Sequence, residues 1–584
     1  MKKFYVMLSM MLALGTSTFA IPVQKGIKKV LTLADGSQVM AEMRGDEFLS
    51  WWEGEDGKAY VENGSSDVYH TVDLEALKPA AEARRAKIDE ARASRLARVR
   101  KNVGKGSGEM RADLGGSHIQ YTGKKKGLII LAQFPDKQFK DTHTLSYYKD
   151  VANKPGFTNG EGYVGSVRDY FYDQSNGQFE LDFDVLGPVM AKNSYAYYGK
   201  DGSQVDINVG ELIKECCDAV SDQVNFSDYD WDGDGTADQV FVLYAGLGQA
   251  AGGDATTIWP HEYVLRQTSV GVLSYPTGKV DTYACAQELS RRPLSSGGFG
   301  KTDYASGIGT ICHEFSHCLG FADMYDTNGQ KNYAMSYWDI MDSGAYNGNS
   351  FIPCNYTGFE RIYAGWTEPI VLDEPATVKS MKSMSDFGRP FIMYNDRNKD
   401  EAYIFDNRQK TGWDRRLYGE GLLITHLDYN AYYWRANSVN TISSHQRCTI
   451  FHADNSAGVS LLQDFAGDPY PYEYGGEIMN DELTDDSEPA ASLFNRNSDN
   501  TYYMGKPVTQ IRRNGDGTIS FLVMDGDDDN VLDNSPVVDA ISSVSANVNA
   551  SDSRIFSIDG RYLGSDASKL GKGLYIIGGK KVVK

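Results

Sequence analysis

His313-Glu314-x-x-His317 sets two imidazoles one helical turn apart, with a carboxylate beside them. On a helix the four-residue gap puts both rings on one face, where their nitrogens can converge on a single Zn²⁺. Glu314 falls on the same side. It is badly placed to join the metal and well placed to take a proton from a water held there, the general-base role in hydrolysis. Gly320 suits the helix C-terminus, because a left-handed residue there reverses the chain and can bring later side chains back towards the metal. Asp323 is then the third ligand, with the more distant Glu360 as its rival. Two surface histidines beside a solvated Glu would be the bland reading; Gly320, Asp323 and the helical pattern argue against it.

That pattern lies on the face away from the histidines, where Ile308, Ile311, Cys312, Phe315 and Leu319 recur at helical spacing. Downstream, Trp338-Asp339-Ile340-Met341-Asp342-Ser343-Gly344 resembles the methionine-containing turn beneath the metal of metzincin-type peptidases, which usually supply a third His where this chain has Asp323. Met341 would support the site from below, although alone it reads as a core methionine. Tyr346 is a phenol that could donate to a developing oxyanion, a role open to many of the 37 tyrosines.

A second cation site is spelled by Asp230-Trp231-Asp232-Gly233-Asp234-Gly235-Thr236-Ala237-Asp238. Carboxylates at positions one, three, five and nine, with Gly at six for the sharp turn, match the oxygen spacing of a calcium loop. Asp230, Asp232, Asp234 and Asp238 would hold a structural Ca²⁺. Position twelve is Gln239 rather than Glu, so a full EF-hand is not expected. His261, His426, His445 and His452 lack tight ligand spacing and read as structural.

These sites need a large frame, and 584 residues with 41% hydrophobic content allow several cores. Residues 1–20 have the basic start, apolar run and small-residue end of a cleavable secretory signal, and no later run is long enough to span a membrane. Residues 21–115 read as a propeptide, with a small β unit at 36–60 and an exposed helix from Leu74 to Val103. The basic cluster Arg95, Arg98, Arg100 and Lys101, with the Gly-Ser stretch 104–108, is an expected activation linker. No cysteine lies there, so a cysteine switch is excluded, and Asp113 or another carboxylate would have to serve if the prosegment caps the metal directly.

Residues 116–372 are expected to hold the catalytic α/β (α+β) domain, with strands at 127–132, 179–185 and 239–244 and helices at 166–172 and 209–220. A β-rich domain follows at 373–526, then an acidic linker at 527–548 and a strand-forming tail at 549–584. The net charge of −21 argues against nucleic acid or an acidic membrane as main partner. Seven cysteines are too sparse for a disulfide scaffold, their odd number leaves at least one thiol, and Cys312 and Cys318 are not expected to pair.

With these residues in view, the chain from about 127 to 524 resembles secreted zinc metallopeptidases of the immune inhibitor A type. The resemblance rests on His313-Glu314-x-x-His317-x-x-Gly320-x-x-Asp323, on Trp338 to Gly344, on the acidic Asp228–Asp238 loop before Gln239-Val240-Phe241-Val242, and on Gly421 to His426. It implies a metzincin-like, calcium-containing endopeptidase made as a zymogen, acting on protein or peptide substrates, with His313, His317 and Asp323 on one catalytic zinc and Glu314 as base. The final strands resemble the sorting tail by which Bacteroidetes-like bacteria pass proteins to an outer-membrane secretion machinery, implying a secreted or cell-surface location. A rival of another class is an adhesive surface protein with a structural metal site. Glu314 argues against it, since a closed structural site gains nothing from a carboxylate beside the metal.

Overall fold

The run from Gly127 to Ala132 has no polar residue to turn towards water, so as a strand it must be covered on both faces. In the computed structural model it forms the middle of strand Gly123–Gln133, flanked in parallel by Val240–Leu247 and Phe179–Met190. The structure describes residues 21–46, 48–62, 68–81, 83, 122–200, 206–293, 299–329, 331–458, 462–536, 555–557, 562–564, 574–577 and 580–583. The sheet continues from Val240–Leu247 through parallel Thr282–Pro293 to antiparallel His261–Val264, and Phe299–Ala305 pairs with the far end of Thr282–Pro293.

The two-residue period of the strands assigns one helix to each face. Ile129, Leu131, Phe241 and Leu243 share a buried cluster with Ile311, Cys312 and Phe315 of helix Gly309–Cys318. Leu128, Ile130, Val240 and Val242 share another with Leu212, Ile213, Cys216 and Val220 of helix Val209–Val220. On the first face the Phe315 ring meets Phe183 edge-on at 5.1 Å and stacks on Phe241 at 5.6 Å. This fixes the depth of the histidine-bearing helix against the sheet. The helix expected from Ser166 begins at Val167, because Ser166 caps it: its Oγ accepts from Asp169 N at 3.2 Å, and Asp169 Oδ2 accepts from Ser166 N at 2.9 Å.

Strands Lys28–Leu33, Gln38–Gly45, Ser50–Gly54, Ala59–Glu62 and Val68–Val72 close into a five-stranded barrel, larger than the β unit expected at 36–60. A helix starts at residue 74 as expected. Its continuation, the basic cluster Arg95 to Lys101, the stretch 104–108, Asp113 and the leader 1–20 lie outside the described residues. Ahead of the barrel, Val23 and Ile27 pack with Ala250 and Trp259 in a buried cluster.

Beyond residue 370, Phe391–Tyr394, Glu401–Arg408, Gly421–Asp428 and Cys448–Ile450 form an antiparallel sheet, edged by parallel Ile370–Val371. One face, through Ile392, Ile404, Leu423 and Leu427, joins the same buried cluster as Phe315. The other, through Phe391, Met393, Phe405 and Ile424, packs with Phe521 and Val523 of a second sheet. Arg408 ties this region to the methionine turn. Fully buried, it reaches Asp414 through two hydrogen bonds of 2.7 and 2.8 Å and donates to Trp338 O at 3.0 Å.

Residues to Ser535 make one compact unit. In the second, strands 562–564, 555–557, 574–577 and 580–583 pair antiparallel in that order. All seven cysteines are buried, Cys312 and Cys318 among them. Among the described residues no helix is long and apolar enough to cross a membrane.

Candidate metal centre

Helix Gly309–Cys318 can carry its histidines close to the methionine turn because it begins on glycine. A Cβ on Gly309 would stand 1.9 Å from Ala345 O. At its other end Gly320 takes φ +91°, the left-handed reversal expected there. The chain then returns, and His313, His317 and Asp323 each bring a ligand atom within 4.8 Å of the others.

The donors fit zinc in kind and spacing. His313 Nδ1 lies 2.8 Å from Ile340 O, and His317 Nδ1 lies 3.0 Å from Phe321 O. A carbonyl can only accept, so both protons sit on Nδ1 and both Nε2 atoms are left as the metal-facing nitrogens. His313 Nε2 is 3.2 Å and His317 Nε2 3.7 Å from Asp323 Oδ1. Ligand atoms of a tetrahedral zinc with bonds of about 2.0–2.1 Å stand roughly 3.3 Å apart. Burial works against a charged His313, but the hydrogen bond and charge of Asp323, with the charge of Glu314, outweigh it and hold the metal-free ring up at about 9. Metal binding at neutral pH therefore displaces a proton.

Asp323 is itself gripped from far along the chain. Asn437 Nδ2 donates to Asp323 Oδ2 at 2.6 Å, and Asp323 N donates to Asn437 Oδ1 at 2.7 Å. Residue 437 has φ 44°, a left-handed position that Asn tolerates better than most residues. Nothing in the local sequence marked it for this role. The methionine turn holds the other side: Ile340 O accepts from His313 Nδ1, and Met341 O accepts from Met324 N at 2.8 Å. Met341 is fully buried.

Glu314 is buried beside the histidines at 0% exposure, and its backbone oxygen accepts from Gln239 Nε2 at 3.1 Å. Glu360, the rival ligand, is placed elsewhere. It closes a capping box, accepting from Thr357 N at 2.7 Å while Thr357 Oγ1 accepts from Glu360 N at 3.4 Å. The pattern Thr357-x-x-Glu360 could have signalled this from sequence. Burial raises Glu360 well above the usual carboxylate range, and also raises Asp339 to about 7 with a contribution from Asp342.

Tyr346 is buried, and its hydroxyl donates to Pro22 O at 2.6 Å. Burial, and after it the charge of Glu314, pushes its phenol well above the ordinary tyrosine value. The contact with Pro22 comes from a backbone carbonyl ahead of the N-terminal barrel.

In the acidic loop Asp230, Asp232 and Asp238 each offer an oxygen within 4.8 Å of the others. Asp234 is outside that group, and its Oδ1 accepts from Thr236 N at 2.9 Å. Gly233 and Gly235 both have positive φ, as the tight turn requires. The four histidines read as structural are hydrogen-bonded: His261 to Trp259 O and Tyr283 OH, His426 to Glu401, His445 to Asp428 and His452 to Asp468. Burial lowers His261 to about 4.

Residues 118–366 match the family profile described as immune inhibitor A peptidase M6, catalytic domain. Pre-pro-metalloprotease PrtV of Vibrio cholerae serotype O1 is 28% identical over 291 residues, covering 43% of this chain and 30% of that protein. Immune inhibitor A of Bacillus thuringiensis subsp. alesti is 22% identical over 299 residues, covering 43% of this chain and 42% of its own. A putative secreted metallopeptidase of Arthroderma benhamiae is 25% identical over 229 residues, covering 35% and 32%. The chain thus spans about a third of the length of the first of these relatives. Within residues 118–366, which include both candidate metal groups, it is similar to the catalytic domain of immune inhibitor A peptidases.

Proposed function

We propose that this chain is an exported zinc-dependent endopeptidase, made as a zymogen, that hydrolyses peptide bonds in proteins through a metzincin-like site. The observation that carries the reading is the convergence of His313, His317 and Asp323 beside a buried Glu314, in a region similar to peptidase catalytic domains. Bound zinc would supply the positive charge that polarises a peptide carbonyl and acidifies water. Glu314 takes the proton of the attacking water and passes it to the leaving amine. Tyr346, once Pro22 has left it, donates to the oxyanion. Asn437 and Ile340 O keep Asp323 and His313 in place, and Met341 supports them from below.

The acidic loop would hold one structural Ca²⁺ through Asp230, Asp232 and Asp238, with Asp234 closing the turn. The C-terminal strands would address the protein to a secretion machinery, placing it outside the cell or on its outer surface. Residues 21–115 would be the propeptide of the zymogen.

Casein hydrolysis by the processed protein tests the reading. Activity should vanish with a zinc chelator and return on adding Zn²⁺. A fully processed, zinc-loaded protein without activity would refute it and favour the adhesive reading.

A further inference from the structure

Residues 21–27 contact the candidate site region along their length. Pro22 O accepts from Tyr346, Val23 and Ile27 pack with Ala250 and Trp259, and between them Lys25 Nζ donates to Ser336 Oγ at 2.9 Å. The same ammonium lies 5.6 Å from the centre of the Tyr337 ring. Burial pulls the Lys25 amine below its ordinary value, and the charge of Asp342 is the largest effect acting the other way. Asp342 is 1% exposed and immobile: one oxygen accepts from Ser343 N and Oγ, the other from Met335 N and Ser336 N.

A hydroxyl, an aromatic face and a fixed carboxylate are what a lysine or arginine head group needs when it leaves water. All three come from the segment that bears the methionine turn. Glu42 and Arg44 of the N-terminal barrel also face Lys25, but they act in opposite directions and pair with each other at 3.4 Å. When the barrel leaves, they leave together, and Asp342 loses the cation that offsets its burial.

We infer that Ser336, Tyr337 and Asp342 form a substrate subsite for a basic side chain, which Lys25 fills until the N-terminal segment is removed. The inference rests on the peptidase reading and adds a substrate class to it. Lys25 follows Pro22 by three residues, so the subsite takes the side chain three residues beyond the one whose carbonyl meets Tyr346. Substrates carrying Lys or Arg at that distance from the scissile bond are preferred. A norleucine side chain reproduces the aliphatic stem of lysine, one heavy atom short, and lacks the charged head group.

Two peptides test this on the active protein that the full chain yields on processing: one copying residues 21–27, the other with norleucine in place of Lys25. Fluorescence anisotropy should show the lysine peptide binding at least tenfold tighter. Ser336→Ala and Tyr337→Leu should shrink that difference to about threefold or less, leaving norleucine-peptide binding unchanged. Equal binding of the two peptides by wild type would overturn the inference, whether or not casein is cleaved. Loss of casein cleavage with the lysine preference intact would instead sink only the peptidase reading. In the uncut full chain, Lys25→Met should speed amide exchange across residues 21–27 about tenfold and Lys25→Arg should restore protection. Equal exchange in Lys25→Met and wild type would count against the pocket.

Discussion

Removing the Asn437 side chain should loosen the metal without touching any ligand. Asn437 gives Asp323 two short, fully buried hydrogen bonds, of 2.6 and 2.7 Å, from a position 114 residues away. In Asn437→Ala the Asp323 carboxylate loses a donor and its backbone N–H loses an acceptor in a place water does not reach. Loss of such an outer-shell partner typically weakens metal binding 10–100-fold, which is about 1.4–2.8 kcal/mol. The fold suffers separately. Each stranded buried group costs about 1–3 kcal/mol, and alanine at φ 44° adds about 1 kcal/mol of backbone strain. Asn437→Gly removes the side chain without that strain, so it should show the same loss of zinc affinity and a smaller loss of thermal stability. Competition with a chromogenic zinc chelator at pH 7.5 reads the affinity, and unfolding scans with and without zinc read the stability. If both folded variants hold zinc as tightly as wild type, Asp323 is not a ligand or its orientation does not matter.

Two further outcomes follow from other parts of the structure. Stripping calcium should lower the thermal midpoint, because the acidic loop is bolted to the central sheet by Trp231 Nε1 donating to Lys126 O at 2.8 Å. A ligand at a hundredfold excess over its Kd contributes about 2.7 kcal/mol, and Asp232→Ala should abolish the response to added calcium; an unchanged midpoint in wild type would remove the calcium site. The buried pair Asp339 and Glu360 should make the metal-free protein less stable as pH rises. With Asp339 raised to about 7 against an unfolded value of about 4, the native state binds more protons than the unfolded one between those limits, so stability falls across that window, and the raised Glu360 carries the fall further up in pH. Asp339→Asn keeps the acceptor for Met341 N and should flatten this slope in unfolding scans, whereas an unaltered slope would mean the pair does not share a proton.

What could be read from the sequence was whatever lay within a few residues of itself. His313, Glu314 and His317 share a helix face by spacing alone, Gly320 announces its own left-handed turn, and Asp323 follows from that reversal. The bounds of helix 209–220 were legible for the same reason. Glu360, the rival to Asp323, follows Thr357 at capping-box spacing, and that is the role it takes in the structure. Asp234 fits the calcium spacing, yet it falls outside the group that Asp230, Asp232 and Asp238 form within 4.8 Å, which spacing along the chain does not reveal. Asn437 and Pro22 were beyond reach. Their partners lie 114 and 324 residues away, and only the packing of distant segments into one buried cluster brings them to the site.

The most direct test of the account is Glu314→Gln in the processed protein, with bound zinc counted by mass spectrometry beside casein hydrolysis. Glutamine keeps the size of the side chain and cannot take the proton of an attacking water, so zinc should remain at one per chain while the rate falls by at least 10²–10⁴-fold, the usual contribution of a general base. Zinc retained with hydrolysis near the wild-type rate would contradict the assignment of Glu314 and the mechanism built on it.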